Sequence, residues 1–180
     1  GLAEKIIKKD QLAVNNFIVM ASAYLHDMID DKVTDEPEKA QRTLVHFLQE
    51  INCSFAEIEA ILEIIQNLSF SAEMFAKAKS LSLEGKIVQD ADRLEALGAV
   101  GILRAAYFSG AHGQAIYDEN KAVQHFHSKE DYRRPSTMIN HMYEKLFLLP
   151  EMMNTYYGKK EGNRRKAFME DFLEEFYKEC

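Results

Sequence analysis

Glu84-Gly85-Lys86-Ile87-Val88-Gln89-Asp90-Ala91-Asp92-Arg93-Leu94-Glu95-Ala96-Leu97-Gly98 is the stretch on which the fold turns. Its apolar residues follow a helical pattern, and acids interrupt that pattern. The spacing predicts a helix over 84–98, with Gly98 at its end. Burying a carboxylate costs several kcal/mol unless it is paired or bound to a metal. At about 100° per residue, Asp90 and Asp92 lie about 200° apart on a helix, so both should not face one site. Spacing alone does not choose between them.

The rest of the chain carries the same helical signature. Ile58, Ile61, Leu62, Ile65 and Leu68 form one apolar stripe, and Met169, Phe172, Leu173, Phe176 and Tyr177 form another. Ser54 and Glu57 have the spacing of a capping box. Asp35 before Pro37 marks another helix start. Pro37, Pro135 and Pro150 are the three prolines, so 38–134 is free of their interruption. No segment alternates in the strand manner, and no hairpin dipeptide occurs. Helices are predicted near 2–9, 12–30, 37–50, 55–68, 71–79, 84–98, 99–109, 135–149 and 163–178. The stretch 110–134, with Gly110, Gly113 and the pair Arg133-Arg134, is the most irregular. The expected architecture is an all-α, single-domain helical bundle spanning 1–180, with a C-terminal helical extension from about 135.

Composition narrows the function. The 180 residues carry 29 acidic and 22 basic side chains, a net charge of −7, which disfavours duplex nucleic acid and anionic membranes. No apolar run approaches the roughly 20 residues that span a bilayer. A small anionic ligand stays compatible, because it needs only a local cation or a metal. Only Cys53 and Cys180 are present, so no disulfide framework is expected and the cytoplasm is the expected compartment. A homo-oligomer is compatible with this composition.

A second segment, Ala21-Ser22-Ala23-Tyr24-Leu25-His26-Asp27-Met28-Ile29-Asp30-Asp31, opens apolar and then turns ionisable. On a continuous helix, His26 and Asp30 share one face, as do Asp27 and Asp31. A neutral imidazole with carboxylates suits manganese, iron, zinc, cobalt or magnesium without selecting among them.

His26-Asp27 followed by Ala91-Asp92-Arg93-Leu94 resembles the HD superfamily of metal-dependent phosphohydrolases. The longer match, Glu84 through Ala99, resembles the small bacterial HD-domain hydrolases. It continues through Tyr143-Glu144-Lys145-Leu146 and Met153-Asn154-Thr155, so it covers nearly the whole chain. The resemblance implies an all-helical core and a divalent metal held by His26, Asp27 and Asp92, thereby selecting Asp92 over Asp90. Similarity to alarmone hydrolases within the superfamily assigns Asp30, with Asp31, to orienting the attacking water. The family pattern has one more histidine on the preceding helix. The alignment places it a few residues before Gly1, and the chain is expected to start mid-helix.

The activity so implied is hydrolysis of a phosphoester in a small phosphorylated substrate, a nucleotide or related metabolite. Asp30, Asp31 and Lys86 are the candidate catalytic residues, and charge type adds Arg93 and Arg104 as partners of the substrate phosphate. The alternative is a non-catalytic sensing or scaffold module that keeps the fold. A two-iron oxygenase would need further histidines, for which only weak candidates such as His112 exist. Asp90 is expected to be a structural hydrogen-bonding anchor. His46 and the His125-Phe126-His127 stretch are expected at the surface. The basic cluster Lys159, Lys160, Arg164, Arg165 and Lys166 is expected to be a solvated helix start.

Overall fold

Asn15 shows how the first part of the chain is built. Its side-chain oxygen accepts the backbone N–H groups of Phe17 and Ile18 at 3.0 and 3.3 Å, which sets the start of a helix at Asn16. The computed structural model describes residues 1–30, 33–75, 79–126, 128 and 134–180. Residue contacts group the chain into two compact units, Gly1–Gln89 and Asp90–Cys180. All regular structure among the described residues is helical, as the sequence pattern predicts.

The first unit holds α1 (Leu2–Asp10), α2 (Asn16–Leu25), α3 (Pro37–Glu50), α4 (Phe55–Asn67), α5 (Phe70–Phe75) and the first half of α6 (Leu83–Glu95). α1 ends where Gln11 takes a left-handed conformation, φ 52°. At the start of α4, Ser54 and Glu57 form the expected capping box. The Ser54 hydroxyl accepts the Glu57 N–H at 3.3 Å, and the Glu57 carboxylate accepts the Ser54 N–H at 2.8 Å. The hydrogen bonds from Ser54 hold the Glu57 carboxyl below its usual range. Leu44, Leu48, Ile58, Ile61 and Ile65 form a core from α3 and α4, against which Ile18, Ala21 and Leu25 of α2 pack. Gly85 brings α6 close to α4: a Cβ there would lie 3.1 Å from Ile64 Cγ1. The Asn15 N–H reaches Glu84 at 3.2 Å, and Gln89 Nε2 donates to the Leu68 carbonyl at 3.1 Å.

The second unit holds the rest of α6, then α7 (Gly98–Ala111), α8 (Met138–Glu144), a 3-10 turn (Leu146–Met152) and α9 (Tyr156–Glu179). The helix expected to run over 84–98 ends earlier, at Glu95, and Gly98, at φ +77°, is the first residue of α7. Leu94, Leu97, Ile139, Met142, Leu149 and Met169 are fully or almost fully buried. α9 packs on α7 and on the 3-10 turn. Gly162 keeps α9 close to that turn, since a Cβ there would meet Pro150 at 3.5 Å.

Several expected helix bounds are corrected. The helix expected over 12–30 spans only Asn16–Leu25. Asn15 caps it late, and Asp27, just past Leu25, is of the type that favours turns. The helix expected over 135–149 divides into α8, capped by the Thr137 hydroxyl, and a 3-10 turn containing Pro150. The last helix starts at Tyr156 instead of near 163, because Thr155 caps it. Of the helix expected over 71–79, the structure describes α5 as Phe70–Phe75; residues 76–78 lie outside the described residues, and Lys79 is not helical.

Candidate metal centre

His26 is the first residue past α2. From there the backbone folds in tight turns: Met28 N–H to the Leu25 carbonyl at 3.0 Å, then Asp30 N–H to the Asp27 carbonyl at 3.2 Å. The expected sharing of one helix face by His26 with Asp30 therefore does not hold; the pairing expected of Asp27 with Asp31 lies outside the described residues. The α-helix has ended at Leu25.

The turn sets His26 against Asp27. His26 Nδ1 lies 2.9 Å from the Ala23 carbonyl oxygen. A carbonyl oxygen only accepts, so Nδ1 carries a proton there and fixes the ring. His26 Nε2 then stands 3.3 Å from Asp27 Oδ1. That distance sets an imidazole nitrogen beside a carboxylate oxygen. The His26 side chain is 26% exposed and that of Asp27 67%. The nitrogen-plus-carboxylate chemistry fits a divalent ion of the first transition row or magnesium. Among the described residues, no three His, Cys, Asp or Glu side chains gather into a group able to hold an ion.

Asp30 is half-buried, and its carbonyl accepts the N–H groups of Val33 and Thr34 at 2.9 and 3.1 Å. Asp31 lies outside the described residues, as do His127 and Arg133.

In the second unit, α6 separates the two acids that spacing could not rank. Asp90 is fully buried. Its carboxylate accepts the Asn154 N–H at 2.9 and 3.1 Å, Asn154 Nδ2 at 3.0 Å, and the Thr155 N–H and hydroxyl, each at 2.7 Å. The Thr155 hydroxyl in turn accepts the Gly158 N–H at 3.0 Å. Asp90 therefore anchors the start of α9, where an anion is favoured, and its oxygens are committed to these donors. Asp92, two residues on, is exposed.

The proposed cations differ in setting. Lys86 is half-buried on α6. Arg93 is buried, and its Nη1 donates to the Met152 carbonyl, which ties α6 to the 3-10 turn. Arg104 lies 3.3 Å from Glu95, with both side chains exposed. Arg165 donates to the Leu94 carbonyl, so residues 90, 93 and 94 of α6 are each tied to elements around α9.

Sequence reasoning missed the roles of Asn154 and Thr155. A threonine one residue before a helix was the available signal for the second. It also missed Glu144, whose buried carboxylate accepts the Gln124 N–H at 2.9 Å and the Ser136 hydroxyl at 3.0 Å.

The chain belongs to the HD domain family, which it matches over residues 2–97. It is 35% identical over 164 residues to YpgQ of Bacillus subtilis (strain 168), covering 91% of this chain and 72% of that protein. A crystal structure of a Lactobacillus plantarum protein is similar with a TM-score of 0.87 and 41% identity, over 99% of this chain and 82% of that one. The structure of Bacillus subtilis YpgQ in complex with ADP gives 0.78 and 31%, over 99% and 81%. An HD-superfamily hydrolase from Bacillus thuringiensis gives 0.74 and 34%, over 99% and 80%. The fold is thus that of the HD-superfamily hydrolases, whose domains generally depend on a divalent metal. No described helix is long and apolar enough to cross a membrane.

Proposed function

We propose that this chain hydrolyses a phosphoester of a nucleotide or related phosphorylated metabolite, with a divalent ion held by His26, Asp27 and Asp92. The observation that carries the proposal is the His26–Asp27 pair, an imidazole nitrogen and a carboxylate oxygen 3.3 Å apart. Membership of the HD family and the ADP complex of similar YpgQ support the substrate class.

When bound, a divalent ion supplies Lewis acidity toward a phosphoryl oxygen and acidifies water. The chain's own residues do the rest. The Ala23 carbonyl holds the His26 ring in one orientation. Asp30, aided by Asp31, takes or directs the proton of the attacking water. Lys86 and Arg104 balance phosphate charge. Arg93, with its Nη1 committed to Met152, contributes mainly by holding α6. Asp92 is ranked above Asp90 because the Asp90 carboxylate is buried among donors of Asn154 and Thr155. The proposed setting is the cytoplasm.

The test is a panel of nucleotides and other phosphorylated metabolites assayed with added manganese, magnesium, iron or cobalt. Turnover with at least one metal, and loss of about 100-fold or more in Asp27→Ala, is expected. Full activity in Asp27→Ala would refute the site assignment. No turnover, together with no metal by elemental analysis, would favour the non-catalytic scaffold.

A further inference from the structure

α9 carries its charges in two blocks. The part over 156–168 holds Lys159, Lys160, Arg164, Arg165 and Lys166 against Glu161 alone, and every charged side chain over 169–179 except Lys178 is acidic. A helix dipole favours the reverse order, anions toward the start and cations toward the end. Helix stability therefore gives no reason for the basic block. The solvated helix start expected of these residues accounts for the exposure of Lys159, Lys160 and Arg164, but not for what stands beside them. Tyr156, Lys160, Arg164 and Phe168 follow one another at intervals of four, so they form a slowly winding stripe about 18 Å long. Tyr156 is 76% exposed and Phe168 47%, and neither ring has an aromatic partner among the described residues. Lys159 and Lys160 pair with no acid among the described residues, although the chain has 29 acidic side chains to 22 basic ones. Glu161 accepts Arg164 Nε and Nη2 at 2.9 and 2.8 Å, which fixes that guanidinium while its side chain stays 67% exposed.

We propose that this stripe binds single-stranded RNA, with phosphates on Lys159, Lys160 and Arg164 and bases on Tyr156 and Phe168. Cations that follow a backbone, joined to rings on which bases stack, are the two parts of a sequence-tolerant single-strand site. The bases of a duplex are already stacked on one another, so a duplex would engage the cations alone. The net charge of −7 opposes that purely electrostatic mode. RNA loops and ends present unstacked bases together with phosphates, which is what the stripe matches. The Arg164 guanidinium, held in place by Glu161, offers a planar donor edge to a phosphate. An anionic lipid surface fits less well. A helix lying on a membrane segregates its rings and its cations to opposite faces, whereas here Tyr156 and Phe168 bracket Lys160 and Arg164 along one stripe. The stripe shares no residue with the proposed metal centre.

Fluorescence anisotropy of a labelled mixed-sequence RNA of about 12 nucleotides, at about 50 and about 200 mM salt, tests this. Lys160→Glu and Tyr156→Ala are measured beside Lys8→Glu, an exposed lysine of α1. Lys160 makes no ion pair among the described residues and Tyr156 is exposed. Both variants should therefore keep the helical circular dichroism, and either carries the test if the other fails to fold. With about three phosphates neutralised, affinity should fall roughly 20-fold between the two salt concentrations. Lys160→Glu should weaken binding about tenfold or more and Tyr156→Ala about fivefold or more, while Lys8→Glu changes it by less than about twofold. The same RNA annealed to its complement should bind at least about fivefold more weakly. No binding at about 100 μM chain, a loss in Lys8→Glu equal to that in Lys160→Glu, or full affinity in Tyr156→Ala would overturn the inference. So would equal binding of the duplex, or tighter binding of poly-glutamate or of phosphatidylcholine–phosphatidylserine vesicles.

Discussion

Replacing Asp90 by alanine should be among the most damaging single changes in the chain. The carboxylate is fully buried and gathers four donor groups: the Asn154 N–H and Nδ2, and the Thr155 N–H and hydroxyl. Hydrogen bonds to a charged group contribute about 1.5–3 kcal/mol each, though not additively. Removing the acceptor leaves two backbone N–H groups, the Asn154 amide and a hydroxyl without it, at about 1–3 kcal/mol for each buried group. It also removes the anion at the start of α9, about 0.3–1 kcal/mol. Local relaxation and water entry offset part of this, so a loss of about 4 kcal/mol is expected for Asp90→Ala. Asp90→Asn keeps one acceptor oxygen but sets an amide against the donors, and should lose about 2–3 kcal/mol. The assay is urea unfolding followed by circular dichroism, with the slope compared between variants. A loss below about 1 kcal/mol for Asp90→Ala would refute the anchor argument.

Three further predictions rest on separate observations. Glu161 accepts Arg164 Nε and Nη2 at 2.9 and 2.8 Å and Arg165 Nε at 2.9 Å; the Arg164 bonds above all hold its carboxyl down to about 2. Its contribution is fully present above the ordinary carboxylate value and is lost as pH falls from there toward about 2. After allowance for the exposed Arg164 that amounts to about 1–2 kcal/mol, and Glu161→Gln should flatten that part of a stability-against-pH curve. Gly158→Ala should cost about 2–3 kcal/mol in urea unfolding, because its Cβ would overlap Asp90 Oδ2 and the Thr155 hydroxyl; a loss under about 0.5 kcal/mol would contradict that overlap. Ser54→Ala should cost about 1 kcal/mol by removing the cap of α4, seen as a lower thermal midpoint, and an unchanged midpoint would argue against the capping box.

The all-helical class was legible because apolar spacing at i, i+3 and i+4 is a local signal, and the stripe Ile58, Ile61, Ile65 lies in the core as expected. Helix ends were less legible where a distant group decides them. Thr155 starts α9 with Asp90 as its partner, 65 residues earlier in the chain. The end of α2 was missed because His26 and Asp27 continue a helical pattern in sequence, while their side chains favour the turn that forms. For the site, adjacency alone made the His26–Asp27 pairing visible. The role of Asp90 was not visible from spacing, since the donors that claim it come from Asn154 and Thr155. Family resemblance ranked the two acids as expected metal ligands; the structure shows the Asp90 carboxylate taken up as a buried anchor.

Manganese titration of the chain by calorimetry, beside His26→Ala, Asp27→Asn, Asp92→Asn and the neighbouring exposed Glu95→Gln, tests the metal assignment most directly. The account predicts that each of the first three variants weakens affinity by about 10-fold or more while Glu95→Gln leaves it unchanged. Unchanged affinity in Asp92→Asn, or a loss in Glu95→Gln equal to the others, would contradict it.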